Sequence, residues 1–139
     1  SIRIERQLIF KGRPLIPETQ SKLLDFEFTV IRRSAKSLYV LVRGHPLVFD
    51  WEEQELKIKA ISWGKHYGGS EWLKLPDTTE LHVRILVDTT SIEVFINRGQ
   101  VSASYCFLPS GYNNTLSISS YSGEQLIENF ELHELKSVW

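Results

Sequence analysis

The chain has 139 residues, 42% hydrophobic and 24% charged, with a formal net charge of −1 at pH 7; that is the size and balance of one globular domain, which excludes a disordered chain. The near-neutral charge leaves no electrostatic footprint for nucleic acid or an anionic membrane, and no apolar run reaches the roughly 18 residues of a membrane-spanning helix. Cys106 is the single cysteine, so an internal disulfide or a cysteine cluster for zinc is ruled out; the lack of any methionine or signal peptide at Ser1 predicts one domain, residues 1–139, cut from a longer protein.

Alternation with period two dominates the sequence, the signature of half-buried strands. Ahead of it, residues 17–24 have room for one short helical turn. Leu24, Phe26, Phe28 and Val30 alternate with Asp25, Glu27 and Thr29. Leu38, Val40 and Val42 make the next run, and Leu56, Ile58 and Ala60 another. Residues 61–80 read as a long loop that carries Trp63, His66, Tyr67, Glu71 and Trp72. Leu81, Val83, Ile85 and Val87 alternate with His82, Arg84 and Leu86. Ile92, Val94 and Ile96 alternate with Ser91, Glu93 and Phe95; Val101, Ala103, Tyr105 and Phe107 alternate with Ser102, Ser104 and Cys106. Leu116, Ile118, Phe130 and Leu132 close the set. Turn signals such as RGHP (43–46), YGGS (67–70), NRGQ (97–100) and YSGE (121–124) separate the runs, and their Gly and Asn supply positive φ. Many short strands without a sustained helical period predict an all-β fold, an antiparallel two-sheet β-sandwich of jelly-roll or concanavalin-like type.

Glu93 sits in the middle of an otherwise apolar strand. Period two turns Ile92, Val94 and Ile96 to the core, and Ser91, Glu93 and Phe95 to the other side. With 81–87, 91–96 and 101–107 as adjacent hairpins, one face carries His82, Arg84, Ser91, Glu93, Ser102 and Ser104. Such a face suits a hydroxyl-rich ligand. The simpler account is the ordinary solvated face of an antiparallel sheet.

The stretch LHVRILVDTTSIEVFINRG (81–99), followed by YCFLP (105–109), resembles the C-terminal β-sandwich of glycoside hydrolase family 32, the invertases, levanases and inulinases. The matching residues are Asp88, Ser91, Ile92, Glu93, Val94, Phe95, Asn97 and Gly99. The ending ELHELKSVW resembles the family's through Leu135, Lys136, Ser137, Val138 and Trp139. LYVLVRGHPLVFDWEEQELKI (38–58) is more loosely similar to an earlier strand pair, so the resemblance covers roughly residues 22–139. His133, where the family often has an aromatic, and Arg98, inserted in the Asn-Gly turn, depart from the pattern. The family's chemistry lies on an N-terminal propeller, in Asn-Asp-Pro-Asn-like, Arg-Asp-Pro and Glu-Cys motifs that this sequence lacks. The resemblance therefore implies a non-catalytic domain, akin to the fructan-binding carbohydrate-binding modules (family 66 type) that arose from this sandwich. It implies a fructan such as levan, or fructose, as ligand, an attached catalytic domain as partner, and an extracellular or cell-surface location. The alternative is a structural appendage that stabilises the propeller or mediates dimers, without a sugar site.

A terminal-sugar site needs carboxylates and arginine for the hydroxyls, and a ring for the apolar face of the sugar. Glu93 is the first candidate, as an acceptor for two hydroxyls. Asp88, Arg43 and Arg84 follow, with Trp63, Tyr67 and Trp72 as rings. Each has an ordinary alternative: Glu93 paired with Arg84 across the strands, Asp88 holding its own turn, Arg43 as a solvated strand end, the rings as loop anchors. Trp51 and Trp139 are assigned to packing, and Cys106 to a passive place on the more exposed face. The acidic run from Asp50 to Glu55 has no recognised calcium spacing, so neither a cofactor nor an obligatory metal is expected.

Overall fold

A computed structural model describes residues 1–58, 71–106 and 115–135. Its strands are β1 (Ile2–Ile9), β2 (Leu23–Arg32), β3 (Ser37–Val42), β4 (His45–Asp50), β5 (Glu55–Ile58), β6 (Glu71–Lys74), β7 (Glu80–Val87), β8 (Ser91–Ile96), β9 (Val101–Cys106), β10 (Leu116–Ser119) and β11 (Gln125–Leu135). They form two antiparallel sheets, ordered β1-β11-β2-β7-β8-β9 and β10-β3-β4-β5-β6. The expected two-sheet β-sandwich is what the chain adopts.

The core is the product of period two applied twice. Phe26, Phe28, Val83, Ile85, Ile92 and Val94 come inward from the larger sheet, and Leu38, Val40, Leu47, Phe49, Leu56 and Ile118 from the smaller. Phe26, Phe28 and Phe130 cluster with ring centroids 6.2 to 6.5 Å apart, Phe28 stacked on both others. Each such buried ring contributes about 1.5–3 kcal/mol of apolar burial. The long strand β11 keeps both Ile127 and Phe130 in that core although their spacing is odd. It does so through a bulge between Glu128 and Glu131, where Asn129 takes φ 53.

Two local expectations are corrected, and one strand went unforeseen. Residues 17–24 hold no helical turn; β2 begins at Leu23, which pairs with Leu135. The ladder to β11 outweighs any local helical preference there. The predicted 61–80 loop contains β6, a four-residue edge strand paired with β5. Trp72 therefore stands on a strand, across from Lys57. Finally, β1 escaped the sequence pattern: Arg3 and Glu5 alternate with Ile2 and Ile4, but Arg6 falls where the alternation calls for an inward apolar residue. As an edge strand with few inward residues it tolerates those charges.

Candidate functional site

The hairpins β7–β8 and β8–β9 are adjacent, as the polar-face reading requires. Arg84 pairs with Phe95, Leu86 with Glu93, Glu93 with Ser104, and Phe95 with Ser102. One outer face thus carries His82, Arg84, Ser91, Glu93, Ser102 and Ser104. On the neighbouring strand β2 the outward residues are Leu23, Asp25, Glu27 and Thr29.

The β2–β7 part of this face is tied up in pairs. Arg84 grips Asp25 with two hydrogen bonds, Nε to Oδ1 at 3.0 Å and Nη2 to Oδ2 at 2.7 Å. That hydrogen bond and its charge hold the guanidinium above its ordinary pKa. Arg84 is therefore Asp25's partner, and the predicted pairing of Glu93 with Arg84 does not form. His82 Nε2 lies 3.0 Å from Glu27 Oε2, and Arg3 reaches Glu131 at 3.1 Å.

Glu93 is brought together with Asp88 and Ser91 at the end of the face, where β7 turns into β8. They line a groove of about 290 Å³, completed by Leu23, Leu24, Leu86, Val87 and Leu135. The turn is built from its own polar groups. Asp88 N–H donates to the Ser91 carbonyl at 2.8 Å, and Thr89 N–H to Asp88 Oδ1 at 2.6 Å. Asp88 so holds its turn and still lines the groove with an exposed side chain. The leucine walls escaped the sequence reading. The available signal was Leu86, an apolar residue on the outward side of an otherwise polar strand.

Arg43 is not on the groove surface. It is 7% exposed, at the β3–β4 turn of the opposite sheet, and its Nη1 donates to the Asp88 carbonyl at 2.8 Å. Neither a solvated strand end nor a surface sugar donor describes it. Burial lowers its pKa, and the charge of Asp88 works against that shift. His45, also 7% exposed, is held below its ordinary value by burial and then by the charge of Arg43. Trp63 and Tyr67 lie outside the described residues, as does Trp139. Trp51 is buried at 6% exposure, as its packing role requires, and Cys106 is exposed. Among the described residues no group of three or more His, Cys, Asp or Glu is placed to hold a metal ion.

What the groove can do follows from its walls. Carboxylates accept hydrogen bonds from hydroxyls, and leucines cover C–H surface; among the described residues the Asp88 and Glu93 carboxylates have no cation bonded to them, since Arg43 meets Asp88 only at its backbone carbonyl. Known proteins agree with the fold. The chain is 33% identical over 64 residues to a levanase of Bacillus sp. (strain L7), covering 46% of this chain and 7% of the levanase. It is 34% identical over 59 residues to a raffinose invertase of Escherichia coli, covering 42% of this chain and 12% of that protein. The structure of fructofuranosidase from Schwanniomyces occidentalis complexed with fructose superposes with a TM-score of 0.81 at 16% identity, over 98% of this chain and 33% of that one. The chain thus spans about a third of the fructofuranosidase and far less of the two curated relatives. The model of the C-terminal domain of glycosyl hydrolases family 32 matches residues 8–134, nearly the whole chain, and the chain belongs to that family.

Proposed function

We propose that this domain is a non-catalytic carbohydrate-binding module that takes a terminal fructosyl unit of a fructan such as levan into the groove beside Glu93. The observation that supports this reading is the gathering of Glu93, Asp88 and Ser91 over leucine walls in one groove of about 290 Å³. A furanose ring presents hydroxyls at its rim and C–H groups on its face. Glu93 accepts from two hydroxyls, Asp88 and Ser91 from others, and Leu86 and Leu135 cover the apolar side. A levanase among the relatives, and a fructofuranosidase solved with fructose, make fructans the ligands to test. An attached glycoside hydrolase, outside or at the surface of the cell, would be held at its polymer because tethering makes each later encounter intramolecular. One sugar buries few atoms, so the dissociation constant is on the order of 0.1 to 1 mM.

The test is calorimetric titration of the domain and of Glu93→Ala with levan, inulin and fructose, beside a circular dichroism melt. Heat lost in the variant with an unchanged melt makes Glu93 a ligand contact. Silence of the wild-type domain towards all three sugars sinks the reading. A second reading has its own support: Trp72 and Tyr121 are 60% and 61% exposed beside the smaller sheet. In that reading the sandwich is an appendage that stabilises the attached catalytic domain through this sheet. It predicts that Trp72→Ala lowers the melting temperature of the parent protein but not that of the isolated sandwich.

A further inference from the structure

Arg43 opens the two-residue turn between β3 and β4, with φ 50 ahead of Gly44 at φ 81. An arginine at a hairpin tip ordinarily trails into water, yet this one is 7% exposed. Its Nε and Nη2 are enclosed with no hydrogen-bond partner among the described residues. A buried cation with two unmatched donors works against folding. Stability therefore does not account for its place. The one bond its guanidinium makes among the described residues does: Nη1 crosses from the smaller sheet to the Asp88 carbonyl of the larger one. The other ties of that turn, Asp88 to Ser91 and Thr89 to Asp88, are internal to it.

We propose that Arg43 is the positioning residue of the groove. It holds the 88–90 turn from beneath, and with it the Asp88 carboxylate and the start of β8, which carries Ser91 and Glu93. The consequence for ligand rests on the sugar-binding reading; the strut itself does not. Arg43 reaches no ligand and acts through the Asp88 backbone.

Arg43→Ala and Arg43→Lys test it. Alanine keeps a Cβ, so the cost of the positive φ is unchanged and only the guanidinium is lost. The first readout is amide hydrogen exchange by NMR. Loss of one anchoring hydrogen bond should speed exchange at Asp88 and Thr89 about tenfold in Arg43→Ala, with Ile85 and Val94 unchanged. The second is fructose titration well below the melting temperature, where affinity should fall by a similar factor of about ten. Arg43→Lys, which retains charge and bulk, should fall between the two, and millimolar methylguanidinium should restore affinity to Arg43→Ala alone. Wild-type exchange at Asp88 and Thr89 in Arg43→Ala would overturn the proposal. So would acceleration spread evenly to Ile85 and Val94, which would make Arg43 a general stability element. Selective acceleration in a protein that ignores every fructan would leave the strut standing and remove the sugar-binding reading.

Discussion

Gln125 is fully buried between the sheets, and both ends of its amide are used. Its Oε1 accepts from Trp51 Nε1 at 2.9 Å, and its Nε2 donates to the Ser37 carbonyl at 2.8 Å. Gln125 starts β11 in the larger sheet, Ser37 starts β3 in the smaller, and Trp51 follows β4. One side chain therefore bridges the layers. Gln125→Leu keeps the volume and strands two buried groups, the indole N–H and a carbonyl. Each orphan costs about 1–3 kcal/mol, and leucine regains part of the total through its own apolar burial. We expect a net loss of about 3 kcal/mol, which for a domain of this size is a melting-temperature drop of about 10 °C. Thermal and urea melts of Gln125→Leu, Trp51→Phe and the double variant measure it. Phenylalanine has no N–H to strand, so the double variant should be more stable than the sum of the single losses by about 1 kcal/mol. Additive losses would refute the reasoning, because the indole N–H would then not be what Gln125 satisfies.

Gly123 has φ 68, and a Cβ there would lie 2.5 Å from the carbonyl carbon and oxygen of Ser34. Gly123→Ala should cost more than 2 kcal/mol, whereas Gly99→Ala, with open space around φ 96, should cost about 1 kcal/mol; urea melts compare them. Asp50 Oδ1 accepts from the amides of Glu52 and Glu53, both at 3.0 Å, and Oδ2 meets Lys57 at 3.0 Å. Asp50→Ala should cost about 1–2 kcal/mol by loosening the turn into β5. His45 is held below its ordinary 6.5, so folding favours its neutral form. Its contribution is complete above about pH 6.5 and is lost as the pH falls through the lower folded value. Melts between pH 7.5 and 5 should fall less steeply for His45→Gln than for the wild type.

The sandwich was legible because two-fifths of the chain is hydrophobic and the solvated faces are polar, so alternation survives in nearly every central strand. It failed at β1, where Arg6 interrupts the alternation, and at β6, whose four residues are too few to write one. The site was half legible. Parity placed Glu93 and Ser91 outward, and the turn residues placed Asp88 beside them. Parity says nothing about what crosses between sheets, so the path of Arg43 to the Asp88 carbonyl was invisible. Nor did it pair Arg84 with Asp25. Those residues are 59 apart in sequence, and only the adjacency of β2 and β7 brings them together.

That pairing bears directly on which carboxylate remains available. Arg84 stands between Asp25 on β2 and Glu93 on β8; Glu93 is its diagonal neighbour, one step from Phe95, which lies directly opposite. Diagonal side chains of this length are within reach of each other. Asp25 wins because the guanidinium meets it with two bonds. The pair is exposed at the arginine end, and such a pair adds little to stability. Its effect on the groove is larger, because it keeps a cation off Glu93. On the proposed sugar-binding reading, Asp25→Ala should release Arg84 to Glu93 and weaken fructose binding several-fold, although Asp25 does not line the groove. Adding Arg84→Ala should restore the wild-type affinity, since no cation then competes for the carboxylate. Titration of the three variants decides the matter. Wild-type affinity in Asp25→Ala, or a double variant no better than the single one, would mean that Glu93 is not freed by this pairing.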